Sequence, residues 1–365
     1  MAGSTFGKRF KITTWGESHG AGVGVVIDGC PAGLSLSSED IQLYLNRRKP
    51  GQSRFTTPRK EDDAVEILSG VFEGKTTGTP ISLVVYNRNQ KSKDYSEIAA
   101  CYRPGHADYT FDAKYGFRDY RGGGRSSGRE TIGRVAAGAV AAKILKELGI
   151  TLTAYTKSIG DISISTLDLA EIANNALYMP DADAAAKASA YLETCMQEHD
   201  SSGGVIECII DGMPAGIGEP VFDKLDANLA KAIFSIGAVK GFEIGDGFLT
   251  SFAKGSKNND AFFYDENGNV CKKTNHAGGI LGGMSDGAPI VLRAAVKPTP
   301  SIFKVQQTVN RSGENITLEI KGRHDPVIVP RAVVVVESMA ALVLVDALME
   351  NMSSRLEHMI EFYNS

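Results

Sequence analysis

One short stretch occurs twice, and that repetition constrains the fold more than any other feature of the chain. Ile27-Asp28-Gly29-Cys30-Pro31-Ala32-Gly33-Leu34 returns as Ile210-Asp211-Gly212-Met213-Pro214-Ala215-Gly216-Ile217. Each copy follows a β-branched apolar run and a glycine-rich stretch, the composition of a strand running into a tight turn. Two copies are too few for a solenoid, in which stacked units bury one another's faces. They imply two similar halves, roughly residues 1–150 and 195–350, packed around a common core by pseudo-twofold symmetry. At 365 residues the chain exceeds the usual size of a single core. Duplication reconciles that length with one domain over 1–365, because no low-complexity segment, heptad run or charged linker divides it.

Periodicity supplies the elements. Ile132, Val135, Ala136, Ala139, Val140, Lys143 and Leu148 follow helical spacing over 130–148, Gly149 stops the run, and Ser127 with Glu130 has the form of a capping box. Further amphipathic helices are expected over 184–198 and 224–234. Strands are expected over 23–28, 204–210, 290–296 and 327–329. The apolar run from Ala332 to Met349 is interrupted by Glu337 and Asp346, which argues against a membrane span and for a buried strand, Val333–Val336, followed by a core helix. Helices and strands mix without regular βαβ alternation. The expected class is therefore α+β: a β-α-β sandwich of antiparallel sheets with internal pseudo-twofold duplication and helices outside.

Composition excludes some functions. A net charge of -4 gives no global attraction to nucleic acid or anionic membrane, so any basic site must be local. Cys30, Cys101, Cys195, Cys208 and Cys271 contain no CxxC pair, which speaks against a disulfide framework or a zinc site. Reduced thiols and the lack of an apolar stretch near Met1 lead to a cytoplasmic expectation.

Chemistry gathers in glycine-rich polar patches. Gly16-Glu17-Ser18-His19-Gly20 exposes a histidine able to carry a proton near neutral pH. The glycines that follow it precede a strand instead of following one, which rejects a dinucleotide loop. Arg47-Arg48-Lys49-Pro50-Gly51-Gln52-Ser53-Arg54, and then Arg59-Lys60-Glu61-Asp62-Asp63, could converge arginine forks on an anion. Arg103-Pro104-Gly105-His106-Ala107-Asp108 pairs a phosphate binder with a proton donor across a turn. Arg121-Gly122-Gly123-Gly124-Arg125-Ser126-Ser127-Gly128-Arg129-Glu130 feeds a helix N-terminus, an anion site by its free N–H groups, and lacks the ending of a nucleotide P-loop. In the second half come Gly278-Gly279-Ile280-Leu281-Gly282-Gly283-Met284, Lys297-Pro298-Thr299-Pro300-Ser301 and Lys321-Gly322-Arg323-His324-Asp325-Pro326, which suit a phosphorylated planar cofactor.

Taken in order over about residues 8 to 340, GESHG, DGxPAG, RRxPGQSR, RPGHAD, RGGGRSSxRE, GGILGGMSDG, KPTPSI and GRHDP resemble the chorismate synthase family. The resemblance implies a lyase of the shikimate pathway and of aromatic amino acid biosynthesis: anti-1,4-elimination of phosphate from 5-enolpyruvylshikimate 3-phosphate, with reduced FMN (FMNH2) required and no net redox change. It implies a homotetramer, no nucleic-acid or membrane partner, and, at this length without long insertions, a separate flavin reductase as the source of reduced FMN; NADPH belongs to the family's wider vocabulary. By the same resemblance His19 protonates reduced flavin, His106 protonates departing phosphate, and Asp325 is the base, assisted by Ser18 and Ser127. Arg48, Arg54, Arg103, Arg129 and Arg323 hold substrate phosphate and carboxylates. His106, Ser127, Gly237, Ala238, Gly282, Lys297, Ser301, Arg323 and Asp325 contact FMN; no metal is implied. Gly128 stands where the family usually has alanine and Gly237 where asparagine or another small residue occurs, two changes that loosen the flavin side. His199, His276 and His358 match no motif.

Two other classes fit parts of this pattern. A flavin-dependent oxidoreductase would need a hydride-donor site, and no nicotinamide fingerprint is visible. A nucleic-acid module would use Arg47, Arg48, Arg118, Arg121, Arg125 and Arg129 on phosphates, and would weaken steeply with salt.

Overall fold

Apolar, β-branched runs build two antiparallel sheets of five strands each in the computed structural model, which describes residues 3–56, 61–88, 99–320 and 325–364. The first contains β1 (Thr5–Phe6), β2 (Lys11–Gly16), β3 (Gly22–Asp28), β4 (Val65–Ser69) and β5 (Ile81–Tyr86), in the order β1-β2-β3-β5-β4. The second contains β6 (Thr151–Ile159), β7 (Ile162–Ser163), β8 (Gly204–Asp211), β9 (Val239–Ile244) and β10 (Ile290–Val296), in the order β7-β6-β8-β10-β9. Every pairing is antiparallel. With the helices α1 (Ser38–Arg48), α2 (Thr131–Glu147), α3 (Leu225–Phe234) and α4 (Val329–Asn351), the chain runs β2-β3-α1-β4-β5-α2 and then β6-β8-α3-β9-β10-α4.

The repeated turn units correspond bond by bond. Gly33 N donates to Thr76 O at 2.8 Å and Gly216 N to Ser285 O at 2.7 Å. The Thr76 and Ser285 hydroxyls donate to Pro31 O and Pro214 O, both at 2.6 Å, and accept from Leu34 N and Ile217 N at 3.0 and 2.9 Å. Gly29 and Gly212 take left-handed φ of 87° and 83°, and a Cβ there would lie 1.9 Å and 2.4 Å from the Arg9 and Gly149 carbonyl oxygens.

The four helices lie between the sheets, not outside them. α2 packs on β2, β3 and β5, α4 on β6 and β8, and the two helices on each other. The reason is their composition: both are apolar on nearly every side, so neither can face water. A helix with a polar face, Ala182–Gln197, sits on the outside. Gly138 marks the crossing of α2 and α4, where a Cβ would come within 2.2 Å of Ser338 Cβ.

The expected strand at Val333–Val336 is instead part of α4, which runs unbroken through it, and the strand expected over 327–329 is reduced to one bridge between Val327 and Ser202. Burial on all sides removes the polar stripe that would have marked a helical period. Among the described residues α4 alone is long and apolar enough to cross a membrane, and 72% of its most apolar window is buried inside the fold. Its two carboxylates are satisfied. Glu337 accepts both Arg47 guanidinium N–H groups at 2.8 and 2.7 Å, and Asp346 accepts the backbone N–H groups of Lys8, Arg9 and Phe10 at 2.8, 2.6 and 2.9 Å.

The capping box is also rearranged. A 3₁₀ turn, Gly128–Glu130, precedes α2, and Ser127 caps that turn by accepting from Arg129 N at 3.3 Å. Glu130 turns away to accept from Thr14 Oγ1 and Arg134 Nε, both at 2.8 Å.

Candidate active site

The β2–β3 connection presents the first proton carrier. Gly20 N closes a turn on Glu17 O at 3.1 Å, and Ser18 and His19 are its two central residues. Ser18 Oγ lies 3.2 Å from His19 Nδ1 and donates to Gly122 O at 3.2 Å. Gly122 has φ of 66°, and a Cβ on it would reach His19 Nδ1 at 2.4 Å, so glycine is what lets the Arg121–Glu130 loop lie against the histidine. Beside this turn, Arg129 donates Nε to Asn87 Oδ1 at 3.0 Å and Nη1 to Asp63 Oδ1 at 3.2 Å, and pairs with Glu61.

Arg48 ends α1 inside the protein. Its side chain is 2% exposed and lies 3.4 Å from Asp63 Oδ2, yet none of its three guanidinium nitrogens has a hydrogen-bond partner among the described residues. Burial pulls its pKa down to about 10, against the charge of Asp63, and burial pushes the Asp63 carboxyl up. Arg331 joins this group to the second half: its Nε donates to Arg48 O at 3.1 Å and its Nη1 to Asp325 Oδ2 at 2.6 Å.

A second cluster forms where the Arg103–Asp108 turn meets the end of β10. His106 Nε2 lies 2.8 Å from Ser301 Oγ, and Lys297 Nζ donates to Gly105 O at 2.8 Å. Lys297 N donates to Ala238 O at 2.9 Å, and Ala238 holds a left-handed φ of 73°. Burial lowers the Lys297 pKa, helped by the charge of Lys240. Ser202 N binds Pro326 O at 2.9 Å and Ser201 Oγ binds Thr299 O at 2.7 Å, which ties the Asp325 segment to the Lys297–Ser301 segment. The result is a set of cations, hydroxyls and two histidines on neighbouring loops, suited to binding an anion and moving protons on it.

Comparison with known proteins decides the family. The family model for chorismate synthase matches residues 10–349. The chain belongs to the chorismate synthase family. Relatives named chorismate synthase include those of Agathobacter rectalis, 68% identical over 100% of this chain and 99% of that protein, and Chloroflexus aurantiacus, 55% identical over 98% of each. A crystal structure titled chorismate synthase superposes with a TM-score of 0.78 at 32% identity, covering 98% of this chain and 97% of that one. The chain is accordingly an enzyme, a lyase, with an α+β fold.

Of the residues named from the chorismate synthase resemblance, Arg54 and Gly282 belong to neither cluster, while Arg103 and Gly237 lie on the segments that form the second. Arg54 points outward, 66% exposed, and pairs with Glu193 at 2.5 Å over the Phe55 ring. Arg103 is engaged by Asp108, to which its Nε and Nη2 both donate at 2.8 Å. Gly282 belongs to the Ile280–Ser285 hairpin that precedes β10, whereas Lys297 follows β10. The strand between them is about 23 Å long at the usual rise. Gly237 faces open space. Arg323 and His324, with Lys321, Gly322, Arg59 and Lys60, lie outside the described residues.

Arg125 is no ligand in waiting, since it donates to the Thr14 hydroxyl and carbonyl and to Gly16 O. Arg118 and Arg121 are likewise paired, with Asp112 and Asp119, so half of the six arginines that a nucleic-acid module would use are engaged within the fold. The residues that sequence reasoning missed are Asn87, Asp63 and Arg331. Glu61 and Asp63 stood in the basic Arg59–Asp63 patch, but no spacing marked them as partners of Arg48 and Arg129.

Proposed function

We propose that the chain removes phosphate from carbon 3 and a hydrogen from carbon 6 of 5-enolpyruvylshikimate 3-phosphate, giving chorismate with no net redox change and with reduced FMN required. The observation that carries this reading is Arg48. A buried guanidinium without hydrogen bonds costs several kcal/mol. An anionic ligand would offset that cost with charge-assisted, bidentate bonds. His106 donates a proton to the departing phosphate, and its contact with Ser301 holds the ring in place. His19, oriented by Ser18, would give its proton to the reduced flavin when that is bound. Asp325, held by Arg331, accepts the proton lost from carbon 6.

The residues present fit the flavin. Lys297, Ser301, His106 and Ser127 offer donors for a phosphorylated group, and the unfilled space at Gly237 leaves backbone open to a flat ring. When bound, reduced FMN supplies the transient electron density that lets phosphate leave. The matching turn units support one domain over 1–365 made of two halves. A homotetramer in the cytoplasm, fed with reduced flavin by a separate reductase, completes the proposal.

Anaerobic incubation with 5-enolpyruvylshikimate 3-phosphate and dithionite-reduced FMN tests it, oxidised FMN being the control. Equal release of chorismate and phosphate only with reduced flavin is expected, with His19→Ala and His106→Ala each lowering kcat about 10²- to 10⁴-fold. No product from a folded, flavin-binding protein would sink the proposal and bring the oxidoreductase forward.

A further inference from the structure

We propose that Asn87 is a positioning residue that holds the histidine turn and the Arg129 guanidinium in fixed relation; this rests on the elimination proposed above and deepens it. Asn87 directly follows β5, and its backbone N–H donates to Ala21 O at 3.0 Å, so the strand pairing sets where its side chain starts. The side chain then crosses to the turn beside β3. Its Nδ2 donates to Glu17 O at 3.0 Å and to Gly20 O at 2.9 Å. Those carbonyls are the two ends of the turn whose centre is Ser18 and His19. At the other end of the same amide, Oδ1 accepts from Arg129 Nε at 3.0 Å.

Two carbonyls on one side and a cationic N–H on the other fix which way the amide points. They also fix the residue type. A carboxylate has no donor for the carbonyls, an ammonium has no acceptor for Arg129, and a serine hydroxyl is too short to span both. Both Nδ2 hydrogens are used on the turn and Oδ1 is directed at Arg129, so Asn87 acts through His19 and Arg129. An acid has to stay within hydrogen-bond reach of the atom it protonates, and a misplacement of about 1 Å costs about 100-fold.

The test uses the full chain with reduced FMN, the variants Asn87→Asp and Asn87→Ala, and kcat and KM measured separately, alongside NMR of the His19 ring in histidine-labelled protein. Asn87→Asp keeps the acceptor for Arg129 and loses both donors, so kcat should fall about 10- to 100-fold with KM within about threefold. Asn87→Ala should lower kcat as much and raise KM too. In both the His19 ring signals should shift or broaden while the melting temperature holds. If one variant does not fold, the other carries the comparison. A kcat within twofold of the parent in a folded variant, unmoved His19 signals, or loss of folding in both would overturn the proposal. Failure of the reaction reading is separately visible: the unsubstituted enzyme would then release no chorismate, while the His19 signals would still report the clamp.

Discussion

Adding one methyl group at Gly138 should cost more than helix propensity returns. The new Cβ would sit 2.2 Å from Ser338 Cβ and 2.6 Å from Ser338 Cα, and Ser338 is fully buried on α4. Carbon atoms prefer about 3.5 to 4.0 Å, so α2 and α4 must part by more than about 1 Å. Neither atom is the tip of a flexible side chain, so the clash cannot be relieved by a rotamer change. Alanine is favoured over glycine by about 1 kcal/mol in a helix interior. Overpacking costs about 1–3 kcal/mol, and a gap of about 1 Å along the rest of the crossing forfeits a quarter to a half of each dispersion well it touches. The net expectation for Gly138→Ala is a loss of about 2–3 kcal/mol. With an unfolding entropy of about 2.1 cal/mol/K per residue over this chain, that lowers Tm by about 3–4 °C. Scanning calorimetry at one fixed protein concentration reads it, since oligomer mass action would otherwise move Tm. Adding Ser338→Gly removes Cβ and Oγ but not Cα, and should recover only part of the loss. An unchanged or higher Tm for Gly138→Ala would refute the reasoning, because the propensity gain would then stand unopposed.

Gly128→Ala should do the opposite: its Cβ meets nothing within 4 Å and its φ is not left-handed, so about 0.5–1 kcal/mol of added stability, read as a small rise in Tm, is expected with flavin affinity unchanged. Glu337→Ala should destabilise by about 2–3 kcal/mol in denaturant melts, less than a fully buried pair because Arg47 keeps 31% exposure and can reach water. For Asp108, burial works to raise the carboxyl and the bonds and charge of Arg103 outweigh it, so its pKa lies below the ordinary value. Its contribution is therefore present above the unfolded pKa of about 4 and lost as pH falls through the lower folded one. The stability gap between the parent and Asp108→Asn, about 2–4 kcal/mol near pH 7, should close on acidification below that point; a gap independent of pH would contradict the sign.

How legible this was depended on what each residue answers to. β3, β8 and β10 were readable because each is a short β-branched apolar run bounded by glycine or turn residues. Val333–Val336 misled because four β-branched residues prefer strands, while packing by the other three helices and by β6 and β8 of the second sheet overrode that preference. The inward position of the helices has its signal in α2, where Gly133, Ala136, Ala137, Gly138 and Ala139 are all buried. At the site, His19, His106, Arg48 and Lys297 announced themselves through glycine and proline context. Asn87, Asp63 and Arg331 did not, because their meaning comes from which strand end or loop lands opposite them.

Asp346 closes three backbone N–H groups that were made 336 to 338 residues earlier. At about 5–20 residues per second, a ribosome delivers that carboxylate about 17–70 s after the segment it caps. During that interval β1 to β5 can pair and α2 can settle on them, but the far face of α2 has no α4 to cover it. The newborn first half therefore carries a bare apolar helix surface until the chain is nearly finished, and its safe passage depends on whatever shields that surface in the meantime.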